Sequence, residues 1–152
     1  MFLCRRLLLG LHNLLCNLVL LLVSPVLQAQ GKVKDVYDTC STILTELGES
    51  IPESNTLAMA STQIVETINT YEKVGDKWLK GEKTVDKTLD KTLQFYKVIS
   101  LAAYFCKSHS MLVHFVSKAV QLSLQRGLSE HTALALIAFT SVVTMEDNVV
   151  SC

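Results

Sequence analysis

LLVSPVLQAQGKVKDVYDTCSTILTELGESIP (residues 21–52) and SKAVQLSLQRGLSEHTALALIAFTSVV (residues 117–143) share one punctuation. In each, an apolar helical pattern runs to a glycine preceded by a polar residue, Gly31 after Gln30 and Gly127 after Arg126, and a second apolar pattern follows within a few residues. Glycine reaches the left-handed backbone that ends one helix and lets the next fold back on it. The pattern predicts an all-α fold of antiparallel helical hairpins stacked side by side.

Working outward from these stretches, six helical segments are expected. The first covers 3–28, with Pro25 bending it because proline lacks an amide donor and clashes with the preceding turn. The second carries the clearest stripe, Val33, Val36, Tyr37, Cys40, Ile43, Leu44 and Leu47, and Gly48 ends it. Its stripe is expected to lie against Val19, Leu22 and Val26. A polar linker at 49–55 contains Pro52, and Asn55 is expected to cap a third helix at 56–73 whose inward residues are Leu57, Ile64, Val65, Ile68 and Tyr71.

A loop at 74–82 holds Trp78 as an aromatic anchor. The fourth helix, 84–107, opens on DKTLDKTL; Lys83 with Asp86 and Lys87 with Asp90 pair along a solvated face, opposite Leu89, Leu93, Tyr96, Ile99 and Ala103. Ser108 or Ser110 caps a fifth helix, with Leu112, Val116, Ala119, Val120 and Leu124 inward and Gly127 as its stop. Ser129 caps a sixth, with Leu134, Ile137, Ala138, Ser141 and Val142 inward. No alternating strand pattern bounded by hairpin turns occurs.

The 152 residues suit a single segment, 1–152, and 49% hydrophobic residues suffice for a core. Lys plus Arg and Asp plus Glu are 14 each, so no net field draws the chain to nucleic acid or acidic lipid. Cys4, Cys16, Cys40, Cys106 and Cys152 are odd in number and scattered, as buried free thiols of a reducing compartment would be. No Asn starts an N-x-Ser/Thr acceptor site.

Residues 1–29 admit two readings. Arg5 and Arg6, the leucine-rich run from Leu7 to Val23 and a small residue at Ala29 meet the outline of a signal peptide, which would send the chain into the secretory pathway. The polar His12, Asn13 and Asn17 and the direct continuation into Gln30-Gly31-Lys32 fit a buried repeat helix of a cytoplasmic protein instead. A membrane span needs ~20 predominantly apolar residues, and these polar side chains count against one.

Chemistry-bearing groupings are few. GDKWLKGEKT (75–84) departs from a phosphate-binding loop, with five residues between the glycines and Glu82 beside Lys83, where a carboxylate would repel phosphate. Cys106, His109 and His114 could be imagined as zinc ligands, but they share no helix face and lack a fourth partner, so a core thiol with two surface or boundary histidines is expected. Of His12, His109, His114 and His131, none accompanies a strand-to-helix elbow that would expose a nucleophile. Phe95, Tyr96, Tyr104 and Phe105, interleaved with Lys97 and Lys107, are expected in the core rather than on a base-stacking surface. No catalytic, cofactor-binding or metal-ligating residue is expected.

LQAQGKVKDVYDTCSTILTELGESIP (27–52) and FVSKAVQLSLQRGLSEHTALALIAF (115–139) resemble the tetratricopeptide-like helical region of large multidomain signalling proteins. In those a kinase-like domain and an AAA-type (STAND-like) ATPase domain precede the helical array, and a histidine kinase can follow. The matching features are Gly31-Lys32, the ending Leu47, Gly48, Glu49, Ile51 and Pro52, and KAVQLSLQRG before Ser129. The resemblance spans about 19–143, loosely over 56–92, and implies a detached piece without the ATPase or kinase motifs. The expected function is a non-catalytic scaffold for protein–protein interaction in intracellular signalling, with protein partners or neighbouring helical repeats and neither nucleic acid, small-molecule substrate nor membrane. The alternative is a small secreted or membrane-associated helical protein released from its signal peptide.

Overall fold

The computed structural model describes residues 32–81, 86–106 and 108–150, with side chains as far as Met145. Among the described residues five α-helices follow one another: α1 (Val33–Glu46), α2 (Leu57–Val74), α3 (Lys87–Phe105), α4 (His109–Arg126) and α5 (Thr132–Val150), with a 3-10 turn at Asp76–Lys80. The fold is all-α, without a β-strand among the described residues. The segment expected at 3–28, its bend at Pro25, the Gly31 turn, the contacts of Val19, Leu22 and Val26, and Lys83 lie outside the described residues.

Local chemistry sets the helix ends. Gly48, at φ 90°, closes α1: its amide and that of Glu49 donate to the carbonyls of Thr45 and Leu44, the paired pattern of a left-handed C-terminal cap. Thr56, not Asn55, caps α2, its hydroxyl accepting from the Met59 amide at 3.2 Å. Asp86 caps α3 by accepting from the amides of Thr88 and Leu89, and its other oxygen pairs with Arg126 at the end of α4. Gly127, at φ 107°, stops α4. Ser129 then starts α5: its amide donates to Thr132 Oγ1, its carbonyl accepts from the Thr132 amide, and its hydroxyl accepts from the His131 amide.

α4 is the centre of the molecule. Val113, His114, Phe115, Val116 and Ser117 are buried in unbroken succession, which a helix permits only when neighbours cover every side. α3 and α5 run antiparallel to it: Asp86 at the start of α3 meets Arg126, while Val142 late in α5 clusters with Val113 early in α4. α2 runs parallel to α4, since Asn55, Gln63, Thr67 and Trp78 meet Ser110, His114, Gln121 and Ser123 in ascending order. α1 packs on α3.

Two clusters form the core. Cys40 and Leu44 of α1 meet Leu89, Leu93, Tyr96 and Ile99 of α3 and Met111 and Phe115 of α4. Ala60 and Ile64 of α2 meet Val113 and Val142, with Ile68, Phe139 and Val143 packed around them. Burying each such aliphatic side chain contributes roughly 1.5–3 kcal/mol, so the first, larger cluster dominates. Leu57 and Val65, expected inward on α2, are exposed at 62% and 56%. Ile64 is buried as expected, and Ala60 and Thr67 complete the inward face.

Candidate functional site

Between α2 and α4 the packing turns polar. On α4, His114, Ser117 and Gln121 recur at helical spacing on one face, opposite Gln63 and Thr67 of α2. Gln121 Nε2 donates to Thr67 Oγ1 at 2.8 Å, and the Trp78 indole donates to the Ser123 carbonyl at 3.1 Å. At the other end the Asn55 amide donates to Ser110 O at 2.7 Å and to Gln63 Oε1 at 3.2 Å, while Gln63 Nε2 lies 3.0 Å from His114 Nδ1. Burial, reinforced by the Lys118 charge, pulls the His114 pKa down to about 4, so the ring is neutral. His114 Nε2, Asn55 Oδ1 and Ser117 Oγ are buried without a protein hydrogen-bond partner.

The sequence set His114 at the surface or boundary; the structure buries it, because it faces a second helix rather than water. His109 and Cys106 are exposed, and no cluster of potential metal ligands among the described residues combines either with His114. The group that does converge is Asp90 of α3 with Glu130 and His131 of the α4–α5 turn. Their ligand atoms all lie within 4.8 Å of one another, with His131 Nε2 at 3.9 Å from Asp90 Oδ2 and 3.7 Å from Glu130 Oε1. These residues could hold a divalent cation, or an imidazolium paired with two carboxylates. They were invisible to a reading of local spacing because Asp90 is a full helix away in sequence.

Cys40 is a buried thiol, and burial raises its pKa, making it a poor nucleophile. Tyr96 is wholly buried, but Tyr104 is exposed at 43%. Trp78 anchors its turn as expected, edge-on to Tyr71 with centroids 6.5 Å apart. Beside α1, an open groove of ≈ 470 Å³ runs between the hydroxyl-bearing Ser41, Thr42 and Thr45 and the linker residues Ile51 and Pro52.

The outer side of α5 is the largest departure from expectation. Of the stripe Leu134, Ile137, Ala138, Ser141 and Val142 expected inward, Val142 is buried, whereas Ile137, Ala138 and Ser141 are half-buried and Leu134 is exposed at 37%, with Met145 farther along at 48%. The inward stripe is Ala135, Phe139, Val142 and Val143, so α5 carries apolar residues on both sides. Thr132 to Met145 contains no charged residue, and only Thr132 and Val142 of it are buried. No helix among the described residues is long and apolar enough to cross a membrane.

No family model matches the chain, and neither the curated proteins nor the solved structures searched contain a match to it.

Proposed function

We propose that this chain is a non-catalytic helical scaffold that binds other proteins, with the outer stripe of α5 as its binding face. The observation that carries the reading is that stripe: Leu134, Ile137, Ala138 and Met145 lie along the charge-free stretch Thr132 to Met145, whose other side already fills the core. Apolar surface of this kind gains by meeting a second apolar helix, whether a neighbouring repeat or a separate protein. The resemblance of 27–52 and 115–139 to the tetratricopeptide-like region of kinase and ATPase signalling proteins connects that role to intracellular signalling. Substituting Leu134→Glu with Ile137→Lys leaves Ala135, Phe139 and Val142 in place, so melting should be unchanged. Quantitative cross-linking in the native cell should lose specific partners, and an unaltered partner set overturns the reading.

One observation favours the secreted alternative. Cys40 and Leu44, the stripe expected to need the preceding segment, are buried against Leu89, Leu93 and Tyr96 of α3. The N-terminal sequence of the protein recovered from its own cell separates the two: a terminus at Gln30 supports secretion, and one at Met1 or Phe2 supports the intracellular scaffold.

A further inference from the structure

We propose that Asn55, Gln63 and His114 form a proton-sensitive clasp that holds the first half of α2 on α4, and that protonating His114 releases α2 while the α1–α3–α4 core stays folded.

Ser110 fixes the orientation of these side chains. Its carbonyl oxygen can only accept, so the Asn55 atom 2.7 Å away is the amide nitrogen. That nitrogen also faces Gln63 at 3.2 Å, which fixes the facing Gln63 atom as oxygen and turns the Gln63 nitrogen toward His114. His114 Nδ1 must therefore accept, and the ring proton sits on Nε2. The Ser110 carbonyl thus fixes both amide orientations, and they are compatible only with an unprotonated Nδ1 on His114.

A proton on Nδ1 puts an N–H against the Gln63 NH₂. Rotating the Gln63 amide cures that clash but turns its NH₂ onto the Asn55 NH₂. Rotating Asn55 in turn removes the donor from Ser110 O, the bond that ties the entry of α2 to the first turn of α4. No combination of rotations satisfies all three contacts. Unmatched buried donors are costly, so the charged ring favours separation of the two helices.

What opposes that separation is the Gln121–Thr67 and Trp78–Ser123 hydrogen bonds toward the far end of α2 and a small apolar contact. α2 is joined by irregular segments on either side, and α4 is its principal packing partner. Its apolar contribution is the small cluster of Ala60 and Ile64 with Val113 and Val142, whereas α1, α3 and α4 share the larger one. Among the described side chains, no acid is placed to welcome a charged His114. Lys118 on α4 opposes it, α2 presents Gln63 and Thr67 with Glu66 exposed, α3 exposes Lys91 and Lys97, and α5 offers the uncharged Phe139, Val142 and Val143. The other described histidines lie elsewhere: His109 is exposed, and His131 sits at the far end of α4.

Hydrogen exchange resolved by helix tests this on the full chain. From pH 6.5 toward 5, the opening of α2, corrected for the intrinsic rate, should rise about tenfold per pH unit, the dependence of a single linked proton; α3 and α4 amides facing α1 should hold. His114→Gln removes the titrating ring and should flatten the α2 profile. Gln63→Glu supplies acceptors to both Asn55 Nδ2 and a protonated ring, so it should keep α2 protected at pH 5 and raise the His114 titration midpoint seen by NMR. The proposal is overturned if wild-type α2 exchanges equally at both pH values, if α2 opens only together with α3 and α4, or if His114→Gln retains the acid response.

Discussion

The Tyr96 hydroxyl donates a 3.0 Å hydrogen bond to Glu49 Oε2, joining the residue just beyond α1 to the middle of α3. Burial and the Glu49 charge hold the phenol protonated far above its ordinary range, so it is a permanent donor. A hydrogen bond to a carboxylate contributes more than a neutral one, but Glu49 is partly open to water and can rehydrate. Tyr96→Phe should therefore lower stability by about 1–2 kcal/mol, measured by urea denaturation, with no change in the slope.

Leu44 and Leu134 are both apolar residues within helices, but only the first has neighbours all round. Leu44 is completely buried between α1 and α3, and Leu134 is 37% exposed on α5. Leu44→Ala should cost ~2–5 kcal/mol through lost contacts and the cavity left behind. Leu134→Ala should stay within ~0.5 kcal/mol, as surface changes do. Paired denaturation curves of the two variants check the assignment of inward and outward faces.

His114 gives stability a definite acid limb. Its pKa is depressed in the folded chain, from the ordinary 6.5 to about 4, so the unfolded chain takes up the proton first. Above pH 6.5 both states are neutral and the site is indifferent to pH. As pH falls from 6.5 to 4 the unfolded state gains protons that the closed fold resists, and stability declines by up to ~3 kcal/mol at about 1.4 kcal/mol per pKa unit. Chemical denaturation at a series of pH values should show this decline, and His114→Gln should lose it.

Asp86 acts in the opposite sense at lower pH. The backbone amides it accepts from, Leu89 first, and then the Arg126 guanidinium hold its carboxyl below the usual carboxylate range. Its stabilising effect is present above the unfolded-state pKa and fades as pH falls through the lower folded value. Asp86→Asn keeps a capping oxygen but loses the charge, so it should remain folded with a weaker acid dependence. Asp86→Ala should in addition fray the first turn of α3, visible as faster exchange at Thr88 and Leu89.

What could be read in advance depended on what each helix faces. α1 was legible because Val36, Tyr37, Cys40 and Leu44 of its stripe pack into an apolar cluster, and the helix stops at Gly48 and Gly127 were legible because left-handed glycine needs no tertiary context. The α2 face was misjudged by part of a turn. Its partner surface is Gln63 and Thr67 against His114 and Gln121, and an apolar-stripe criterion does not register a polar seam. α5 defeated the criterion differently, because apolar residues line both of its sides and periodicity alone cannot choose the one that packs. The approach of Asp90 to Glu130 and His131 depends on the turn after α4 meeting the start of α3, which no local pattern encodes.

Trp78 is the sole tryptophan in the sequence, and its indole is pinned to the Ser123 carbonyl where α2 has just ended and α4 is about to. The protein thus contains a built-in optical reporter at that junction. Its emission wavelength distinguishes a ring held against protein from one bathed in water, and Tyr71 beside it supplies excitation energy only while the two remain close. Stopped-flow fluorescence on the unmodified chain can follow the parting of these helix ends without an added dye.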